Sequence, residues 1–194
     1  MLIYRKERID NAVLFFAKEH YKKTKNVLFQ TALYKYLAFF EFRYLKKYGE
    51  MPLGFEYRAM EHGPVPIEIY EHQENNGYFR LVTFEPVDLK GGGRGYTIKP
   101  KGSFNSNYFA ETELEEMSNL IMFFAQRWVT VSIMSDSSHK EIKAWRTAYK
   151  KGVNTLINPL DEFERDIFTI SNDDLTPEEE RYLIQKSIRD YCVC

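Results

Sequence analysis

The sequence predicts a mainly α (α+β) protein, a compact helical domain with a buried central helix and one small β-hairpin. Three observations carry that expectation. Residues 27–48 are apolar nearly all round, residues 111–128 repeat apolar side chains at three-four spacing, and 79–99 join β-forming runs through a glycine-rich tip. With 194 residues, 44% of them apolar, the chain is long enough for one core and short for two.

The elements follow in order. Ile9, Ala12, Val13, Phe16 and Ala17 draw one stripe and predict a helix over 6–20, ended by the basic run 21–25. The central helix spans 27–48, and Gly49 closes it as a C-cap residue. A turn at 51–54 leads to a short helix over 55–62. Gly63-Pro64-Val65-Pro66 is a rigid elbow, because each proline fixes its own φ and restricts the residue before it. A short helix over 66–75 ends at Asn76-Gly77. The hairpin comes next, at about 79–99, with strands at 79–84 and 96–99 around Gly91-Gly92-Gly93-Arg94-Gly95.

In the second half, Glu111, Glu113, Glu115 and Glu116 open the 111–128 helix, where the macrodipole favours acids. A short helix over 130–136 follows. Ser138-His139-Lys140-Glu141 then has the form of a capping box, opening a helix that runs to Gly152. Residues 1–152 make up the main domain, and 153–194 form a C-terminal extension packed on it. Asp161-Glu162-Phe163-Glu164 is one possible helix start in that extension. Thr176-Pro177-Glu178-Glu179 caps a final helix over 177–190.

Charge narrows the function classes. The net charge of −1 removes the simple electrostatic case for a nucleic-acid binder. Its distribution is uneven, with 11 Lys/Arg against 5 Asp/Glu in 1–50 and 10 against 16 in 111–194. Either the two ends face each other and neutralise, or each offers its own surface to a charged partner. The order of elements over 27–99 also suits a winged helix, yet the helix that would read DNA carries Glu68, Glu71 and Glu74 and no Lys or Arg. Nucleic acid is therefore an unfavoured partner.

Catalytic and metal chemistry find little purchase. His20, His62, His72 and His139 form no close ligand pair, the glycine run lacks phosphate-loop spacing, and no nucleophile motif occurs. The expectation is a non-enzyme without metal or cofactor. Cys192 and Cys194 are the only cysteines, which suits a reducing compartment, and no signal or membrane-spanning run interrupts the charged residues. A cytoplasmic location follows as an expectation.

Three motif segments suggest a family. Leu33-Tyr34-Lys35-Tyr36-Leu37-Ala38-Phe39-Phe40 is followed by Tyr57 and then His62-Gly63-Pro64-Val65-Pro66 and Tyr70. Downstream, Ser138-His139-Lys140-Glu141 leads to Trp145. Over about residues 6–150 the chain resembles the Panacea antitoxin domain, the SocA-like family. The resemblance implies a helical domain of bacteria and their phages that neutralises a protein toxin by direct binding, and an adaptor role toward an AAA+ protease is carried over weakly. It also implies that Lys35, Tyr57, His62, Gly63, Pro64, Pro66, Tyr70, His139, Glu141 and Trp145 define the fold or the partner contact, not a catalytic set. Tyr21, Tyr57 and Arg94 with the 90–95 tip are the expected partner surface. A DNA-binding regulator and a phage accessory interaction protein are the competing functions.

Overall fold

The computed structural model describes residues 4–75, 77–89 and 92–191. Asn76, the Lys90 and Gly91 part of the hairpin tip, and the cysteines Cys192 and Cys194 lie outside them. The described elements run α1 (Arg5–Thr24), β1 (Leu28–Phe29), α2 (Gln30–Tyr48), β2 (Tyr57–Met60), β3 (Gly63–Pro66), α3 (Ile67–His72) and β4 (Val82–Asp88). They continue as β5 (Arg94–Pro100), α4 (Glu111–Phe124), α5 (Val131–Glu141), α6 (Lys143–Lys151), β6 (Thr155–Leu156) and α7 (Pro177–Tyr191). The mainly helical α+β class stands.

Helix α2 is central because it has no polar face. Leu33, Tyr36, Leu37, Phe39, Phe40 and Phe42 are all buried. Its aromatics are matched from both sides. Phe16 of α1 stacks on Tyr36 with ring centres 4.9 Å apart, and Phe124 of α4 stacks on Phe39 at 4.7 Å. Gly49 ends α2 in the left-handed region at φ 71°, its N–H donating to Leu45 O, and the backbone of Glu178 at the start of α7 packs against it.

Two three-stranded sheets flank this helix, in the orders β1-β5-β4 and β3-β2-β6, with antiparallel pairing throughout. The first contains the expected hairpin, paired from Val82↔Pro100 to Asp88↔Arg94. The second overturns the expected helix over 55–62. Tyr57 and Ala59 face the core while Arg58 and Met60 face out, a period of two that only a strand satisfies. Glu41 fixes the turn that leads into this strand, accepting from the N–H groups of Leu53 (2.7 Å), Gly54 (2.6 Å) and Phe55 (3.0 Å), with Gly54 in the left-handed region at φ 62°. The proline elbow is strand β3, and its position at the sheet edge tolerates Pro64 and Pro66, whose missing N–H groups can face away from β2.

Ser138 is not an N-cap. Helix α5 starts seven residues earlier, with Thr130 Oγ1 accepting from Ile133 N at 3.3 Å, and Ser138 Oγ donates to Ser135 O at 2.7 Å within the helix. The break falls at Ile142, and the carboxylate of Glu162 accepts from Ala144 N at 2.8 Å to cap α6 instead. The 111–128 helix stops at Phe124, which leaves Trp128 outside it and exposed. Helix α7 begins as expected, with Thr176 and Glu179 capping each other's N–H groups. Residues 161–164 start no α-helix; Pro159–Glu162 is one short 3-10 turn.

The basic front and acidic back neutralise each other across the fold. Arg8 pairs with Glu113, Arg43 with Glu116 and Glu141, and Lys46 with Glu162. Among the described residues, no helix is long and apolar enough to cross a membrane.

Candidate functional site

Three of the family segments meet on one floor. Gly63 opens β3 at φ 104°, and a Cβ there would lie 2.6 Å from both Lys35 Nζ and Ser138 Oγ. Glycine is required twice over, by its backbone angle and by the close approach of α2 and α5. Next to Ser138, the His139 ring stacks on Trp145 at 4.0 Å with an interplanar angle of 3°, and Trp145 stacks on Tyr149 at 4.8 Å. Trp145 Nε1 donates to Met60 O at 3.2 Å, which ties α6 to the end of β2.

The electrostatics of this floor are unusual. Lys35 is 1% exposed, and among the described residues no hydrogen bond or ion pair reaches its amine. Burial lowers its pKa from 10.5 to about 7. His139 is also shifted down, first by burial and then by the charge of Lys35, with His62 adding to it and Asp136 opposing. The His139 Nε2 atom is buried without a hydrogen-bond partner.

Above Lys35 opens a cavity of about 600 Å³, lined by Gln30, Tyr34, His62, Val65 and Tyr70 among others. Tyr34 is already committed, its hydroxyl donating to Gln73 at 2.7 Å. Gln30 is not, since its buried Oε1 has no partner. A second cavity of about 420 Å³, between Met51, Phe55 and Tyr182, contains none of the motif residues.

Of the residues singled out in the sequence, Lys35, His62, Gly63, Tyr70, His139 and Trp145 are thus brought together around this floor. Pro64 and Pro66 are buried in β3. Glu141 stands apart, its carboxylate taking a two-point grip on the Arg43 guanidinium at 2.5 and 2.9 Å. Tyr57 cannot offer a partner surface. It is 1% exposed, sealed between Phe42 and Phe55, and burial followed by nearby Glu41 pushes its hydroxyl pKa up. Tyr21 and Arg94 are exposed, on the last turn of α1 and at the start of β5.

Sequence reasoning missed Gln30, Glu41 and Arg43. The available signal was charge inside an otherwise apolar helix: Lys35, Glu41 and Arg43 interrupt α2, and each serves a particular neighbour or cavity. Among the described residues, no cluster of three or more His, Cys, Asp or Glu side chains could hold a metal ion.

Fold and site together define a mainly helical α+β domain whose polar groups collect where α2, β3 and α5 meet. Its family is that of the antitoxins: the family model described as "Antitoxin SocA-like, Panacea domain" matches residues 33–146, and the chain belongs to it. The match starts later than the resemblance read from the sequence, excluding α1, and it covers every motif segment on the floor. No curated protein and no solved structure matches the chain.

Proposed function

We propose that this antitoxin-type domain neutralises a protein toxin by direct binding, without catalysis, and that the toxin docks on the corner between α4 and α5. One observation supports the placement. Met122, Phe123, Trp128 and Val131 are all exposed within ten residues of chain, Trp128 by 70% and Phe123 by 59%. Exposed large apolar side chains scattered singly mean little, whereas a concentration that includes Trp marks an interaction face. The corner is also braced from below. Arg43 lies 5.9 Å from the Phe123 ring centre and is itself held by Glu141 and Glu116, which gives the family Glu a positioning role. Delivery of the bound toxin to an AAA+ protease would be a later step.

Operator binding is the weaker reading. Helix α3 is six residues long, it offers no Lys or Arg to phosphates, and its Glu68 is held by Arg5.

The test is co-expression with the product of the adjacent gene. The wild-type chain should restore growth that the neighbour alone arrests, and a Phe123→Ala/Trp128→Ala variant should not. A neighbour that arrests no growth removes the toxin reading. Full rescue by the double variant moves the docking face elsewhere, with Tyr21→Ala/Arg94→Ala the next pair to try. Toxin half-life with and without the protease tests the adaptor step.

A further inference from the structure

The floor under the cavity holds polar atoms that the fold leaves unmatched. Among the described residues Lys35 has no anionic partner, and Gln30, a residue of the same lining, keeps its carbonyl oxygen buried without a donor. A buried amine that served packing alone would be better replaced by a methionine-like stem, which fills the space without a desolvation cost. An amine kept there, beside a roomy cavity whose walls include Val65, Ile67 and Tyr70, has the form of an anchor awaiting a charge.

We infer that the cavity over Lys35 is a binding site for a small monocarboxylate that carries an aromatic or branched apolar side chain. The stoichiometry of charge supports one carboxylate. Lys35 is the buried cation of the lining, Arg58 is exposed and committed to Asn154 O at 2.8 Å, and the exposed carboxylates of Glu61 and Glu71 line the same cavity, so a phosphate dianion would meet more repulsion than a monocarboxylate and gain no second buried cation. Val65, Ile67 and Tyr70 provide the surface for the apolar side chain. The lowered pKa of Lys35 agrees with this arrangement, because an arriving carboxylate restores the stable charged state.

Such a group occurs both as a free small molecule and as the last residue of a protein chain. Both share the chemistry, and the experiment separates them. The site is distinct from the α4–α5 corner, so its failure would leave the docking proposal untouched, and the reverse also holds.

Isothermal titration of the full chain compares N-acetyl-phenylalanine with its C-terminal amide. The acid should saturate the protein and bind at least about tenfold more tightly, the value of a hydrogen bond to a charged group. Lys35→Met should abolish that preference, with circular dichroism reporting that the fold is kept. Tyr70→Ala, on the exposed rim, should weaken acid and amide alike and leave their ratio unchanged. A five-residue peptide ending in phenylalanine as the free acid distinguishes the sources: tighter binding than the acetylated residue points to a chain terminus, and equal binding to a free acid. Equal affinity for acid and amide would overturn the assignment. So would an acid preference that survives Lys35→Met, or no saturation by the acid up to about 10 mM.

Discussion

The floor beneath the cavity and the α4–α5 corner break the rule of burial in opposite directions. On the floor, the Lys35 side chain is buried with no hydrogen-bond or ion-pair partner among the described residues and the His139 ring nitrogen is enclosed without one; at the corner, Phe123 and Trp128 are given to solvent. Each departure costs stability, and the two costs differ in kind. An unmatched buried amine destabilises the fold itself, whereas an exposed ring merely forgoes the benefit of burial. The comparison teaches that the floor should be probed by stability and pH, and the corner by partner binding with stability as a control.

The largest expected effect lies on the floor. Gly63→Ala must place an L-residue at φ 104° and force its Cβ toward Lys35 Nζ and Ser138 Oγ. Backbone strain and overpacking together should cost about 2–3 kcal/mol, read as a lower midpoint in chemical denaturation. An unchanged midpoint would mean that the contact of α2, β3 and α5 is looser than the distances indicate.

Lys35→Met comes next, with the opposite sign. Removing an unpartnered buried amine in favour of a side chain of similar length should stabilise the protein by about 1–2 kcal/mol near neutral pH. The pH dependence sharpens this. The folded pKa of Lys35 is depressed to about 7 against an unfolded 10.5, so in that interval the unfolded chain binds more protons. Stability therefore rises with pH from about 7 upward, by about 1–2 kcal/mol up to about pH 9, and Lys35→Met should remove that rise. Other titratable and charged groups stand around Lys35: His62 and Glu61 from the β2–β3 turn, Arg58 from β2 and Glu71 from α3 line the same cavity, and His139 of α5, itself near Asp136, feels the charge of the amine. Lys6 is depressed as well, so the measurement is the difference between wild-type and variant curves, not either curve alone. Parallel curves would mean that Lys35 stays charged in the folded state.

These two regions also mark how far the sequence could be read. Helix α2 was legible because an all-round apolar surface has only one use, and the α7 start because Thr176 and Glu179 satisfy each other locally. Strand β2 was not, since its alternation lasts only four residues and the turn that enters it is fixed by Glu41, a contact made through the fold. Ser138 misled for a related reason. Ser-x-x-Glu fits a cap by spacing, but the spacing is equally compatible with a helix interior, and the carboxylate that caps α6 comes from Glu162. The members of the floor were each named from sequence, yet their meeting depends on three elements far apart in the chain. Tyr57 shows the converse error: a residue in a family segment was taken for surface when its ring closes the core.

The smallest expected effect on stability is the most diagnostic for function. Phe123→Ala/Trp128→Ala removes two rings that are mostly in water, and neither lies in the buried core. Exposed substitutions away from caps and buried networks change stability by at most about 0.5 kcal/mol, so the denaturation midpoint should barely move. The Arg43 contact with Phe123 is lost, a minor change, because Glu141 still grips the guanidinium at two points and the Phe39 and Phe124 rings remain beside it. A variant that folds like the wild type and fails to restore growth against the product of the adjacent gene would assign these rings to the proposed partner contact. If the double variant instead unfolds as readily as Gly63→Ala, the corner is part of the fold's support, and the contrast between the two regions collapses.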